Sequence, residues 1–218
     1  MQEEYYLNKL YPFQNEIFNI VNNLKVNLYL TGGTALSRFY LNHRYSDDLD
    51  FFTNDSKTFL KDTELIVKTL QEKYTVEIQK KANDFVRITA QKENTILKID
   101  FVNDVPYRSG VSIEFPEFKK VDNWWNILTN KLTAIERNEP KDIADILFLW
   151  RKNEIEWGKA FEEAAMKVNY IDPLDVSVVL ETFSTEYLKK INWIREIDIE
   201  KAKNDIKTIA KEILLNKK

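Results

Sequence analysis

Two stretches decide how the first half of this chain folds: Tyr29-Leu30-Thr31-Gly32-Gly33-Thr34-Ala35-Leu36 and, after a short spacer, His43-Arg44-Tyr45-Ser46-Asp47-Asp48-Leu49-Asp50-Phe51-Phe52. The apolar run Asn27 to Leu30 stops at the double glycine, and Thr34 to Leu41 resumes with helical character, so the first stretch reads as strand, tight turn, helix. Asp48 to Phe52 reads as a second strand. Strand side chains alternate, so Leu49 and Phe51 share one face and Asp48 and Asp50 the other.

Upstream, Ile17, Phe18, Ile20, Val21 and Leu24 recur at helical spacing, which predicts a helix over Asn15 to Leu24. Downstream, Ser56 to Glu72 has an amphipathic helical pattern. Three strand-like runs follow at Tyr74 to Gln79, Phe85 to Gln91 and Thr95 to Val102, the last two joined tightly enough for a hairpin. In the third run Leu97, Ile99 and Phe101 form an apolar face while Lys98 and Asp100 point the other way, which puts a third carboxylate on a sheet.

Beyond Pro116 the periodicity is helical, with candidate helices at Asn123 to Arg137, Lys141 to Lys152, Trp157 to Val168, Pro173 to Asn192 and Ile199 to Leu215. The expected architecture is α+β: a small mixed sheet flanked by helices over residues 1–115, then an all-α helical bundle over 116–218.

Composition narrows the chemistry. The 218 residues include no cysteine and one histidine, His43, which excludes a disulfide framework, a thiolate zinc site, cysteine nucleophiles and any centre needing two imidazoles. His43 itself reads as a loop or helix-end residue rather than a base. No stretch has the apolar length of a bilayer span, and the N-terminus MQEEYYLNKL lacks a signal-peptide pattern, so a soluble cytoplasmic protein is expected. With 32 Lys+Arg against 35 Asp+Glu, any contact with RNA must come from a local basic face. The Lys-rich tail from Glu200 to Lys218 offers one, although such runs are more often a solvated face.

A Gly-Gly turn lets backbone N–H groups approach a phosphate, although many such turns hold glycine for geometry alone. The D-x-D pair is sharper. Like charges a few ångström apart repel unless a cation lies between them, and carboxylate oxygens without His or Cys suit Mg²⁺ or Mn²⁺. With Asp100 as a third ligand, two ions could clamp an in-line displacement at phosphorus. By itself D-x-D reads as an exposed acidic strand end. The flanking Leu49, Phe51 and Phe52 argue against that, because they bury the strand.

Together these residues resemble the minimal nucleotidyltransferase signature, Gly-Gly or Gly-Ser followed after a spacer by D-x-D. More closely, GGTAL followed by H-R-x-S-x-D-L-D-F-F is similar to the AbiEii/AbiGii toxin family of bacterial nucleotidyltransferases. The likeness continues in Lys131-Leu132-Thr133-Ala134-Ile135-Glu136-Arg137 and Lys141-Asp142-Ile143-Ala144-Asp145-Ile146, which resemble the family's later K-x-x-A and K/R-D-x-x-D motifs.

The resemblance implies transfer of a nucleotidyl group from a nucleoside triphosphate to an acceptor, with release of pyrophosphate. It assigns Gly32, Gly33, Thr34 and Ser46 to the phosphates, Asp48, Asp50 and Asp100 to the metals, and Lys131 to a β- or γ-phosphate. Arg44 either binds phosphate or braces the acidic strand. Asp142 either orients Lys131 or contacts the acceptor, and Asp145 reads as structural bracing. The implied acceptor is tRNA or another RNA, in a toxin–antitoxin or phage-defence setting with a cognate antitoxin. The alternatives are modification of a protein hydroxyl (AMPylation) or of a small molecule such as an antibiotic, and a nucleotide-binding module without turnover.

Overall fold

The structure, a computed structural model, describes residues 2–215. Two compact units divide it: residues 2–39, 45–106 and 111–122 form the first, and residues 40–44, 107–110 and 123–215 the second. The short segments Tyr40–Arg44 and Tyr107–Gly110 thus pack with the helices although they lie within the span expected to be purely α/β.

The first unit is a five-stranded sheet carrying helices. Its strands are β1 (Tyr29–Thr31), β2 (Leu49–Asn54), β3 (Thr75–Lys81), β4 (Phe85–Lys92) and β5 (Thr95–Asp104), in the order β1-β2-β5-β4-β3. β2 and β5 run parallel, and every other neighbouring pair is antiparallel. The mixed sheet expected from the sequence is present, with strand ends shifted by at most two residues.

Alternation along the central strands gives the sheet two unlike faces. Leu49, Phe51, Leu97, Ile99, Phe101, Val86 and Ile88 are all buried on one of them. Phe51 stacks on Phe101 with ring centroids 5.8 Å apart, and Phe118 bridges Phe51 to Phe18 of helix α2 (Tyr11–Asn23). α2 continues the helical path of the short α1 (Gln2–Tyr5) and one π-helical turn, so the N-terminal helix begins well before the predicted Asn15. Helix α4 (Phe59–Gln71) packs against α2 and β3 with Phe59, Ile66 and Leu70 buried. Each buried aromatic or aliphatic side chain of this kind contributes about 1.5–3 kcal/mol. At the sheet's far edge β3 is largely exposed; a bulge between Ile78 and Lys80, with Lys80 and Lys81 following, blunts it against pairing with another chain.

Between β1 and β2 the chain turns through Gly32 into the short α3 (Gly32–Ala35), which runs into a π-helical stretch over Leu36–Leu41. Gly32 has φ +71°, and a Cβ built there would lie 2.5 Å from Asp50 Oδ2. Only glycine combines that left-handed backbone with so close a neighbour.

The second unit contains α5 (Trp124–Thr133), α6 (Pro140–Lys152), α7 (Trp157–Ala165), α8 (Pro173–Thr182) and α9 (Ile199–Leu214). Asn123, Asp172 and Asp198 cap α5, α8 and α9 by accepting from backbone N–H groups, and Pro140 and Pro173 occupy first-turn positions where a missing N–H costs nothing. The single helix expected over Pro173 to Asn192 is broken. Phe183 is extended, and a 3₁₀ segment over Thr185–Lys190 follows. The run Thr182-Phe183-Ser184-Thr185 explains this: hydroxyl and aromatic residues are poor helix formers, and Thr182 donates its hydroxyl back to the Val178 carbonyl. Among the described residues no helix is long and apolar enough to cross a membrane. Lys217 and Lys218 of the basic tail lie outside the described residues.

Candidate active site

The polar face of the sheet collects charged side chains from three adjacent strands. Asp50 of β2 and Asp100 of β5 are register partners, so their carboxylates leave the same face side by side; Asp48, just before β2, lies alongside Lys98 by the same register. Asp50 also stands opposite Thr31 of β1, next to the Gly32 turn. The three acids named from the sequence therefore emerge on one face, beside the double glycine.

These acids meet cations of the chain itself. Lys98 Nζ lies 2.5 Å from Asp48 Oδ2. Arg87, opposite Asp100 on β4, donates Nε–H and Nη2–H to the two Asp100 oxygens, both at 2.7 Å. The Asp100 hydrogen bond raises the already high pKa of the Arg87 guanidinium, and the charges of Asp100, Asp48 and Asp50 add to that. Among the described residues no group of three acidic or histidine side chains is arranged to hold a metal ion. In kind the donors suit a hard divalent cation, being carboxylate oxygens throughout. As placed, two of them are closed by Lys98 and Arg87.

Thr34 and Ser46, expected at the phosphates, are buried at 1% and 6% exposure. The Thr34 hydroxyl lies 2.8 Å from Ser46 Oγ and also against the Asp48 carbonyl. Gln14 of α2 donates to the Ser46 and Asp47 carbonyls, and the Tyr6 hydroxyl donates to the Asp47 carboxylate at 2.5 Å. The backbone leading into Asp48 is thus fixed from both sides, with Asp47 turned away from Asp48 as alternation requires.

In the second unit a different carboxylate takes the central place. Asp145 of α6 is fully buried, accepting from Arg44 Nε and Nη2 at 2.8 Å each and facing His43 Nε2 at 2.7 Å. Lys131 of α5 completes the cluster, with Nζ 2.7 Å from Asp145 and 2.6 Å from Asp142. Burial alone would raise the Asp145 carboxyl. Arg44 and Lys131, together with hydrogen bonds from His43 and Arg44, hold it well below the usual carboxylate range. Lys131 shows the same contest: burial pulls its pKa down, and Asp145 and Asp142 outweigh the pull and raise it. For His43 burial wins over Asp145 and lowers the pKa, so the ring is neutral near pH 7. Asp145 can only accept, which places the ring proton on Nε2.

Arg44 thus pairs with Asp145, and Lys131 pairs with Asp142 as well as with Asp145. Residues 19–216 match the family described as nucleotidyl transferase AbiEii toxin, of type IV toxin–antitoxin systems. The chain belongs to the AbiEii toxin family. Solved structures share its fold, among them the following two. MenT4, a nucleotidyltransferase toxin from Mycobacterium tuberculosis H37Rv, is 14% identical over 94% of this chain and 82% of its own, with a TM-score of 0.66. JHP933 from Helicobacter pylori is 21% identical over 94% of this chain and 90% of its own, with a TM-score of 0.59. No curated protein matches by sequence. The match extends through the helical C-terminal region, where the sequence by itself offered only helicity.

Sequence reasoning missed Arg87 and the pairing of His43 with Asp145 in this AbiEii-family chain. Arg87 was readable: counting back from the hairpin turn between β4 and β5 places it opposite Asp100. His43 and its Asp145 partner, 102 residues apart, left no comparable local signal.

Proposed function

We propose that this AbiEii-family chain is a metal-dependent nucleotidyltransferase that moves a nucleoside monophosphate from a triphosphate to an RNA acceptor, with tRNA foremost, as the toxin partner of an antitoxin. The observation that carries the reading is the emergence of Asp48, Asp50 and Asp100 on one sheet face against the Gly32 turn. Family membership supports the reaction class.

In this reading Gly32 and Gly33 offer backbone N–H groups to the triphosphate, and Thr34 and Ser46 hold that turn and the Asp48 backbone in place. Asp48, Asp50 and Asp100 hold Mg²⁺ or Mn²⁺, which when bound neutralises charge developing on the phosphates. Asp100 also accepts the proton of the attacking hydroxyl. Lys131 supplies a point charge for phosphate, its direction set by Asp142 and Asp145, and Arg44 acts through Asp145. Catalysis then rests on positioning and electrostatics.

The test is incubation with each labelled nucleoside triphosphate, Mg²⁺, total RNA and cell-lysate protein. Label is expected in the RNA fraction with pyrophosphate released, and Asp48→Ala and Asp50→Ala are expected to abolish both while circular dichroism stays unchanged. Label in protein or in small molecules would replace the RNA acceptor by one of the other enzymatic readings. Tight triphosphate binding without incorporation anywhere would leave a nucleotide-binding module.

A further inference from the structure

The acidic face already carries its own neutralising charges. Three carboxylates, the register partners Asp50 and Asp100 and Asp48 just before β2, repel one another, and two cations answer them: Lys98 on Asp48 at 2.5 Å, and Arg87 on both oxygens of Asp100 at 2.7 Å. Neither cation is needed to fill the core. The side chains of Lys98 and Arg87 are 37% and 41% exposed, and they sit on the polar face of strands whose opposite face makes the apolar layer. Both can therefore swing away without opening a cavity.

We propose that Arg87 and Lys98 are resident counter-cations of the acidic face, which make the uptake of divalent metal depend on the simultaneous arrival of the triphosphate. This rests on the nucleotidyltransferase reading above. A divalent ion arriving alone must break an ion pair and then sit beside the displaced guanidinium or ammonium, a like-charge contact that weakens it. An ion arriving with a triphosphate brings the anion that the freed Arg87 and Lys98 can then face, so the repulsion becomes attraction. The two side chains act on metal and phosphate through charge, as positioning residues. In the free chain the same pairs keep the three acids from destabilising the sheet.

Mn²⁺ binding, followed by electron paramagnetic resonance of the free ion, tests this with and without a non-hydrolysable nucleoside triphosphate. The wild-type chain is expected to bind Mn²⁺ weakly alone and more tightly with the triphosphate. Arg87→Met and Lys98→Met are expected to tighten binding of Mn²⁺ alone by roughly two- to fivefold each, the range of a partly exposed ion pair. The same variants should gain less, or lose, in the presence of triphosphate, and Lys98→Arg should behave like wild type. Unchanged or weaker binding of Mn²⁺ alone in both Met variants, with wild-type binding intact, overturns the counter-cation role by itself. Absence of Mn²⁺ binding in every form, triphosphate present, overturns the metal-dependent reading and this proposal with it.

Discussion

The chain handles acidic side chains in two opposite ways. On the sheet, Asp48 and its partner Lys98 are both more than one-third exposed, and Arg87 covers Asp100 from the solvent side. In the helical unit Asp145 has no exposed surface and is enclosed by Arg44, His43 and Lys131, each nine-tenths or more buried. Exposed pairs of the first kind contribute about 0–1 kcal/mol and exchange partners readily. A buried cluster of the second kind is costly to assemble and costlier to leave incomplete. One acidic group is built for exchange, the other for permanence.

The sharpest way to break this contrast is to make the same substitution in both places. Asp145→Asn strands the buried Arg44 and Lys131 charges, and the expected loss of stability is about 3–5 kcal/mol, read as a fall in the urea midpoint. A loss below about 1 kcal/mol would show that the cluster relaxes to water. Gly32→Ala comes next. It forces a Cβ into the Asp50 carboxylate on a backbone with φ +71°, and a cost of about 1–2 kcal/mol is expected in the same assay, with weakened triphosphate binding.

The third prediction uses pH. His43 has its pKa lowered by burial in the folded chain, so below about pH 6.5 the unfolded state takes up a proton that the folded state refuses. Stability is unaffected by this group above that pH and declines as the pH falls toward the folded value, by at most about 1.4 kcal/mol per pH unit. His43→Gln should flatten the thermal midpoint between pH 7 and pH 5. Asp145, whose own pKa is depressed, adds a loss that begins only near pH 4, which separates the two groups. The smallest effect belongs to Asp48→Asn, expected to shift the urea midpoint by less than about 1 kcal/mol because Lys98 is solvated without it. The pair Asp145→Asn and Asp48→Asn thus measures the contrast directly.

What the sequence made legible follows the range of the interactions. Alternation within a strand is local, so the shared face of Asp48 and Asp50 and the inward Leu49 and Phe51 could be read directly. The hairpin register was equally local, and Arg87 opposite Asp100 lay within reach of counting. The meeting of Asp50 with Asp100 required knowing that β5 inserts between β2 and β4, which no local pattern specifies. The role of Arg44 depended on a partner 101 residues away. Its neighbours Tyr40 to His43 span the end of a π-helical stretch and a left-handed Asn42, a geometry without a sequence signature, and they join the helical unit rather than the sheet. The break at Phe183 was misread because Val176 to Leu180 set up a helical rhythm that the following hydroxyl residues do not sustain.

The parallel pairing of β2 with β5 has a consequence for the nascent chain. Asp50 and Asp100 are fifty residues apart, and α4, β3 and β4 must be synthesised before their strands can join. Such a non-local closure forms slowly and late. A polypeptide released before Thr95 carries the glycine turn and D-x-D with neither their third carboxylate nor the strand that aligns it. Topology alone thus delays the moment at which a toxin's acidic face is assembled until its first unit is nearly complete.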